Sequence, residues 1–271
     1  MSQLTLTLRE RTAQRVDLAP LTLDLLAGKS LAAVGAIELA SGNRTLRVDS
    51  LFTLAGAPGD SLVIHGDLSQ LDRIGAGMTR GRVIVQGDAG NHLGLGMTGG
   101  TIEVAGSVGA FAASSMRGGE IRITGNAGDF LAGAIPGNHQ GMQGGLVLVS
   151  GNAGDRAGDR MRRGTLLIGG DTGDYCASRM VAGTIGVWGK VGRSTGLAMR
   201  RGTVLLHQSP TALPPTFNDC GEFPLSFLTL LARAWKGLPG KFGTLPDSGL
   251  RVRRIMGDLA NDGRGEILIR L

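Results

Sequence analysis

Seven methionines set the frame of this chain. Met78, Met97, Met116, Met142, Met161, Met180 and Met199 are separated by 19, 19, 26, 19, 19 and 19 residues, and only Met1 and Met256 stand outside the series. Gly81, Gly100, Gly119, Gly145, Gly164, Gly183 and Gly202 follow three residues later in the same register. A unit of 19 residues therefore recurs, with seven residues inserted once, and a fixed period of this size is the mark of a solenoid.

Each unit opens with an alternating run, as in Gly100-Thr101-Ile102-Glu103-Val104 and Gly119-Glu120-Ile121-Arg122-Ile123. Aliphatic residues two apart with a charge between them describe a strand with one face inward. Gly-x-x-Gly follows, at Gly125/Gly128 and Gly151/Gly154 among others, and suits a tight turn that needs positive φ or close backbone approach. No unit has room for a helix. A strand this short must stack on its copies, which predicts an all-β chain: a right-handed parallel β-helix, a single-stranded solenoid with a 19-residue repeat. Counting the weaker unit at Leu62-Val63-Ile64, about eight rungs spaced about 4.7–4.9 Å apart would span roughly 34 Å. The methionines then form an internal packing ladder.

The spacing also divides the chain. Residues 1–57 read as an N-terminal cap, 58–209 as the parallel β-helix, and 210–271 as a C-terminal helix and strand tail, all within one structural domain. In the cap, Leu4, Leu6 and Leu8 alternate like a strand, Pro20 to Leu26 suits a short helix, and Arg44 to Leu54 offers a strand pair. In the tail, Pro224 and Gly237 bracket a helix at about 224–235, Phe217 to Gly221 reads as a turn-rich exit, and Arg251–Met256 and Glu266–Arg270 read as final strands.

Two columns follow from the register. Five residues after the first turn glycine come His92, Phe111, Phe130, Arg156, Tyr175 and Ser194, so rings should stack between rungs. Just after the methionines come Arg80, Arg117, Arg162, Arg163, Arg200 and Arg201, with Arg160 and Arg179 just before. Like charges at rung spacing repel, so such a column is splayed into water or neutralised by a partner or an anionic ligand. The insertion, which includes Pro136, Gly137, Asn138, His139 and Gln140, bulges from one corner, as binding loops of repeat proteins do and as tolerated surface loops also do. Outward strand positions Leu148, Leu167 and Leu205 form an apolar column that needs a cover, from the tail helix or from another subunit.

The same residues exclude several classes. His65, His92, His139 and His207 are scattered with no metal-ligand spacing, which predicts no metal. Cys176 and Cys220 make no Cys-x-x-Cys pair and no disulfide framework, which fits a reducing cytoplasm. Gly94-Leu95-Gly96-Met97-Thr98-Gly99 matches a dinucleotide fingerprint but leads into a strand, so no helix N-terminus awaits a pyrophosphate. No signal peptide and no long apolar run is present, so no membrane association is expected. The net charge of +6, with 24 Arg against 4 Lys, favours bidentate pairing with oxyanions. A nucleic-acid binder is nonetheless not expected, because aromatic residues are only 4% and no reading motif appears. No catalytic constellation is expected.

The repeated Gly-Asn-Ala-Gly-Asp at Gly125–Asp129 and Gly151–Asp155 resembles the third, C-type subunit of formylmethanofuran dehydrogenases. So do Pro136-Gly137 leading to Gly141-Met142-Gln143-Gly144-Gly145, and Gly257-Asp258 with Gly263-Arg264-Gly265-Glu266. The β-helix is also similar to the Gly-x-Gly-x-Gly domain of glutamate synthase. The resemblance covers nearly the whole chain. It implies a non-catalytic subunit in one of two settings. One is the tungsten or molybdenum dehydrogenase of methanogenic archaea. The other is the formyltransferase/hydrolase complex of methylotrophic bacteria, which moves formyl from a tetrahydromethanopterin carrier via a methanofuran-type carrier to formate. The Arg bias and the high Ala and Gly content lean to the bacterial complex. The resemblance further implies a hetero-oligomer with a hydrolase (amidohydrolase-like) subunit, its associated B-type subunit and a formyltransferase subunit. No cofactor is expected to be bound tightly by this chain. Contact with the polyglutamyl tail of the furan carrier is expected at Arg117, Arg162, Arg163, Arg200 and Arg201. The partner interface is expected at Pro136, Asn138, His139, Gln140, Leu148, Leu167 and Leu205.

Overall fold

In the computed structural model, which describes residues 2–246 and 248–271, one 13-stranded, mostly parallel sheet runs the length of the molecule. The strands Ser61–His65, Arg82–Gln86, Thr101–Val104, Glu120–Ile123, Gln143–Val149, Arg163–Ile168, Thr184–Val187 and Thr203–Leu206 pair in parallel with their sequence neighbours. Single-residue parallel bridges Leu68–Ala89–Val108–Ala127–Ala153–Thr172 form a second ladder in the same order. The sequence therefore returns to the same two places once per unit. All seven repeat methionines are fully buried between these ladders, each at 0% exposure.

The glycine pattern divides into two physical reasons. Strand-start glycines need their backbone angle: Gly164 has φ +97°, and a Cβ there would stand 2.7 Å from Met142 Cε and 2.8 Å from Gly145 O. The turn glycines are instead required by close approach. At Gly154 a Cβ would stand 2.8 Å from the Asp129 amide nitrogen, so backbone passes where a side chain would be.

The Gly-Asn-Ala-Gly-Asp motif has a structural task. Asn126 Oδ1 accepts from the Asn152 amide at 2.8 Å, and Asn152 Oδ1 from the Asp171 amide at 2.8 Å. Asp129 Oδ1 likewise accepts from the Asp155 amide and Asp155 Oδ1 from the Asp174 amide, both at 2.8 Å. Each rung thus satisfies turn N–H groups of the next, groups that the ladders leave without a backbone partner.

Both ends are closed by chain that breaks the period. Gln3–Leu8 adds in parallel to Ser61–His65, and Phe52–Gly56 then adds antiparallel on its far side. Leu4 and Leu6 point into the core, each 0% exposed, and the helical turn Leu23–Leu26 and the hairpin Glu38–Ser41/Arg44–Arg47 complete this end. At the other end Gly265–Arg270 continues the parallel series beside Thr203–Leu206, followed by Val252–Gly257 and Asn218–Phe223, both antiparallel. The last of these corrects the sequence reading of residues 217–221 as a turn-rich exit: they belong largely to an edge strand, whose pairing partner Val252–Gly257 lies well downstream.

A helix at Phe227–Trp235 turns Leu228, Ala232 and Trp235 onto the outer face of the sheet, where they meet Leu148, Leu167, Leu205 and Leu268. Burying each of these leucines contributes roughly 1.5–3 kcal/mol. The column of outward positions reads Ile84, Glu103, Arg122, Leu148, Leu167, Gly186, Leu205, Leu268 from rung to rung. Its charged half faces solvent and its apolar half lies under the tail. Among the described residues no helix is long and apolar enough to cross a membrane.

Candidate functional site

The residue following each buried methionine is anchored by its amide on the preceding rung, as Arg117 N donates to Met97 O, Arg162 N to Met142 O and Arg200 N to Met180 O, each at 2.8 Å. Because the methionine itself points inward, its neighbours must turn out, and Arg117, Arg162, Arg163, Arg200 and Arg201 are all exposed. Among the described residues none of these five makes a side-chain hydrogen bond or an ion pair. Other arginines do: Arg80 lies 3.4 Å from Asp24, Arg82 is 2.7 Å from Glu103 and Arg193 is 3.1 Å from Asp174.

The structure gathers only part of the expected column. Arg162 and Arg200 border a notch of about 390 Å³ together with Arg160, Arg179, His139 and Asn261. Arg200 and Arg201 border an adjoining, more open recess of about 620 Å³ with Arg264 and Asp262. Arg117 and Arg163 line neither.

The inserted loop contributes His139 to the notch. Pro136, Asn138 and His139 are exposed and Gln140 is half-buried. His139 Nδ1 lies 2.7 Å from Arg160 Nη1, Asn138 Nδ2 donates to Ser115 Oγ at 3.4 Å, and Asn138 Oδ1 accepts from the Gln140 amide at 3.1 Å. Ile135, Pro136 and Asn138 border a second cavity of about 210 Å³ with Phe111 and Phe130. Those two rings stack at 4.8 Å, and Phe111 stacks on His92 at 5.2 Å. Arg156 lies between Phe130 and Tyr175, 5.8 and 4.5 Å from their ring centres. The predicted ring column is therefore continuous over these rungs.

The leucine column is placed differently from its expected interface role. Leu148, Leu167 and Leu205 are 2%, 0% and 0% exposed, because Leu228, Trp235, Phe242 and Leu250 of the tail lie over them. Within this chain that face is closed, and it leaves no apolar strip at those positions for another subunit.

Sequence reasoning gives no site role to Asp159, Asn261 or Arg264, quoting Arg264 only within a family motif, and sets Arg160 and Arg179 aside. Asp159 is 1% exposed and accepts from Arg179 Nε at 2.9 Å, Arg179 Nη2 at 2.7 Å and Ser178 Oγ at 2.7 Å. A signal for the two arginines was present: the residue before each methionine is Gly77, Gly96, Ser115 and Gly141 in earlier units, then Arg160 and Arg179. Nothing local assigns Asn261 to the notch or Arg264 to the adjoining recess; they reach them because the tail returns beside Arg200, where Arg264 N donates to Arg200 O at 2.8 Å.

Cysteine and histidine chemistry lies elsewhere. Burial pushes the Cys176 thiol up to about 12, and His207, stacked on Trp188 at 4.3 Å, is lowered to about 4 by burial and then by Arg270 and Lys241. Among the described residues no three His, Cys, Asp or Glu side chains converge as metal ligands do.

No family model matches the chain. It is 49% identical over 265 residues, 98% of its own length and 98% of the relative's, to the C-type subunit of the formyltransferase/hydrolase complex Fhc of Methylorubrum extorquens. Over 93 residues, 32% of this chain and 34% of the relative, it is 33% identical to the C-type subunit of tungsten-containing formylmethanofuran dehydrogenase 2 of Methanothermobacter thermautotrophicus. A chain in the X-ray crystal structure of the formyltransferase/hydrolase complex (FhcABCD) from Methylorubrum extorquens in complex with methylofuran superposes with TM-score 0.93 at 42% identity, covering 98% of this chain and 99% of that one. Similarity of this extent, end to end in both sequence and backbone, means that the chain belongs to the family of C-type subunits of formyltransferase/hydrolase complexes.

Proposed function

We propose that this chain is a non-catalytic structural subunit of a formyltransferase/hydrolase complex, which moves formyl from a tetrahydromethanopterin carrier via a methanofuran-type carrier to formate. The observation that carries the reading is the end-to-end likeness to a chain of a complex crystallised with methylofuran. The scaffold is a right-handed parallel β-helix of about eight rungs over residues 58–209, capped by 1–57 and closed by 210–271. The side-chain chemistry agrees with a scaffold: Cys176 is sealed and hard to ionise, His92 and His207 are stacking partners, and the turn carboxylates hold backbone amides.

In the assembly the chain docks the hydrolase subunit, its B-type subunit and the formyltransferase subunit, with Pro136, Asn138, His139 and Gln140 at an interface. The unpaired guanidiniums of Arg162, Arg200 and Arg201, together with Arg117 and Arg163, contact the glutamyl tail of the furan carrier by charge-assisted hydrogen bonds. Each exposed contact is weak, about 0.2–1 kcal/mol, so retention needs several of them and falls with salt. The test is to purify the chain alone and assay formyl transfer and formyl hydrolysis. Neither is expected, and turnover at a rate comparable with the complex would overturn the structural role.

A further inference from the structure

The tail that closes the leucine column is itself uncovered. Its helix Phe227–Trp235 carries two apolar stripes, and the fold uses one of them. Leu228, Ala232 and Trp235 are 1%, 1% and 4% exposed, packed on the outer face of the sheet. Phe227, Leu230, Leu231 and Ala234 repeat the i, i+3, i+4, i+7 spacing of a second stripe, turned away from that contact. Phe227 is 37% and Leu230 65% exposed, Ala234 is exposed and Leu231 half-buried.

A helix on the surface of a soluble protein turns charged and polar residues to water, and this one does not. Arg233 is the only charged residue among its nine. A helix that is apolar all round is a buried helix, so the second stripe calls for a cover as the leucine column did. Phe223, 39% exposed at the end of the edge strand, leads into it. Of the eight large apolar side chains exposed among the described residues, Phe223, Phe227 and Leu230 fall within eight positions, a concentration that scattered surface leucines do not show.

Charge, shape and area decide what covers it. A second copy packed antiparallel about a twofold axis sets Phe227 against Ala234 and Leu230 against Leu231, but it brings both copies' Arg233 to the same rim, roughly 7.5 Å apart along the helix axis. That is within about a Debye length, and among the described residues Arg233 makes no side-chain hydrogen bond or ion pair that would offset the repulsion. A parallel twofold sets ring on ring at Phe227 and leaves a gap at Ala234. The helix is also short: nine residues rise about 14 Å, too little to bury the roughly 800 Å² per partner of a contact that stands alone. A different subunit, held in the same assembly by further contacts, escapes both objections, and a carboxylate on it would pair the exposed guanidinium.

We propose that the outer stripe of this helix docks another subunit of the complex, one that presents an apolar surface to Phe227 and Leu230 and a carboxylate to Arg233. The tail then works from both sides: its inner stripe seals the sheet of its own chain, and its outer stripe holds the neighbour. This rests on the reading of the chain as a subunit, and it names a surface by which the subunit is held.

The test replaces the chain in its source cells by affinity-tagged wild type, Leu230→Lys, Arg233→Glu or Arg233→Lys, and weighs the purified assemblies by native mass spectrometry. Wild type and Arg233→Lys are expected to bring down the full set of subunits. Leu230→Lys and Arg233→Glu are each expected to lower recovery of at least one partner subunit at least tenfold, with the emission of Trp235 unaltered because the inner stripe stays seated. Arg233 is exposed and unpaired, so Arg233→Glu leaves the packing intact and decides the matter if Leu230→Lys loosens the helix. A full set of subunits with both variants overturns the proposal. So does an isolated chain that dimerises in analytical ultracentrifugation and loses the dimer on Leu230→Lys, which would assign the stripe to a second copy. If wild type itself brings down no other subunit, the subunit reading falls and this surface with it; if wild type assembles and both variants assemble equally, only the surface falls.

Discussion

Gly186→Ala is a small change at the point where the tail is seated. Gly186 occupies the outward column between Leu167 and Leu205. Its φ is not in the left-handed region, so the substitution introduces no backbone strain and its effect is packing alone. A Cβ would lie 2.9 Å from Leu167 Cδ2, 3.0 Å from Trp188 Cζ3 and 3.3 Å from Trp235 Cη2. Leu167 is 0% and Trp235 4% exposed, and Trp188 is pinned edge-on by Phe242 at 5.1 Å, so no neighbour yields freely. Overpacking of this sort costs about 1–3 kcal/mol, while lowering the freedom of the unfolded chain returns about 0.4–1. The net expectation is a destabilisation of about 0.5–2 kcal/mol, located at the helix Phe227–Trp235. Trp188 and Trp235 are the chain's two tryptophans and both touch the new methyl group, so intrinsic fluorescence reports this contact directly. Urea unfolding followed by fluorescence should shift to lower urea, with an altered native emission maximum. Equal or higher stability with an unaltered native spectrum would refute the view that the gap at Gly186 is what seats the tail.

Three further outcomes follow from the same structure. Leu167→Ala, at a fully buried position, should cost about 2–5 kcal/mol and release the tail to proteolysis before the repeats; simultaneous loss of both would show that tail and repeats unfold as one. His207 sits below its ordinary 6.5, at about 4, because burial disfavours its charged form, so the unfolded chain binds the proton more readily between these values. Stability from this residue is complete above about pH 6.5 and is lost as pH falls toward 4; His207→Gln should flatten that part of a stability-versus-pH curve, and an unchanged slope would contradict it. Asn152→Ala removes the acceptor for the Asp171 amide and should cost about 0.5–1.5 kcal/mol by urea titration, with Asn152→Asp near neutral; equal losses in the two would show that the side chain does not cap the amide.

The repeat was legible because one physical requirement, an inward residue every second position and a glycine wherever two rungs meet, is written identically in each unit. Met161 and Gly164 could be placed from spacing alone, and the structure buries the first and turns the second left-handed. The strand Asn218–Phe223 was not legible: Asn-Asp-Cys-Gly carries turn chemistry, and only pairing with Val252–Gly257 makes it extended. The arginine site was half legible. Periodicity picks out its guanidiniums, but which of them converge depends on Asp159 and on a tail that returns Asn261 and Arg264 to the same corner. The leucine column needs a cover on its composition alone, and the choice between its own tail and a partner depended on a helix position that hydrophobic spacing does not specify.

If this chain works as a scaffold inside a formyltransferase/hydrolase complex, it should never be found by itself in the cell. Native mass spectrometry of the affinity-tagged chain, purified from its source cells, reads that out. The expected result is one stable assembly containing a hydrolase subunit, a B-type subunit and a formyltransferase subunit together with this chain, and formyl-transfer activity that follows the assembly. Recovery of the chain alone, or with a glutaminase and a flavin protein in place of those partners, would contradict the scaffold role.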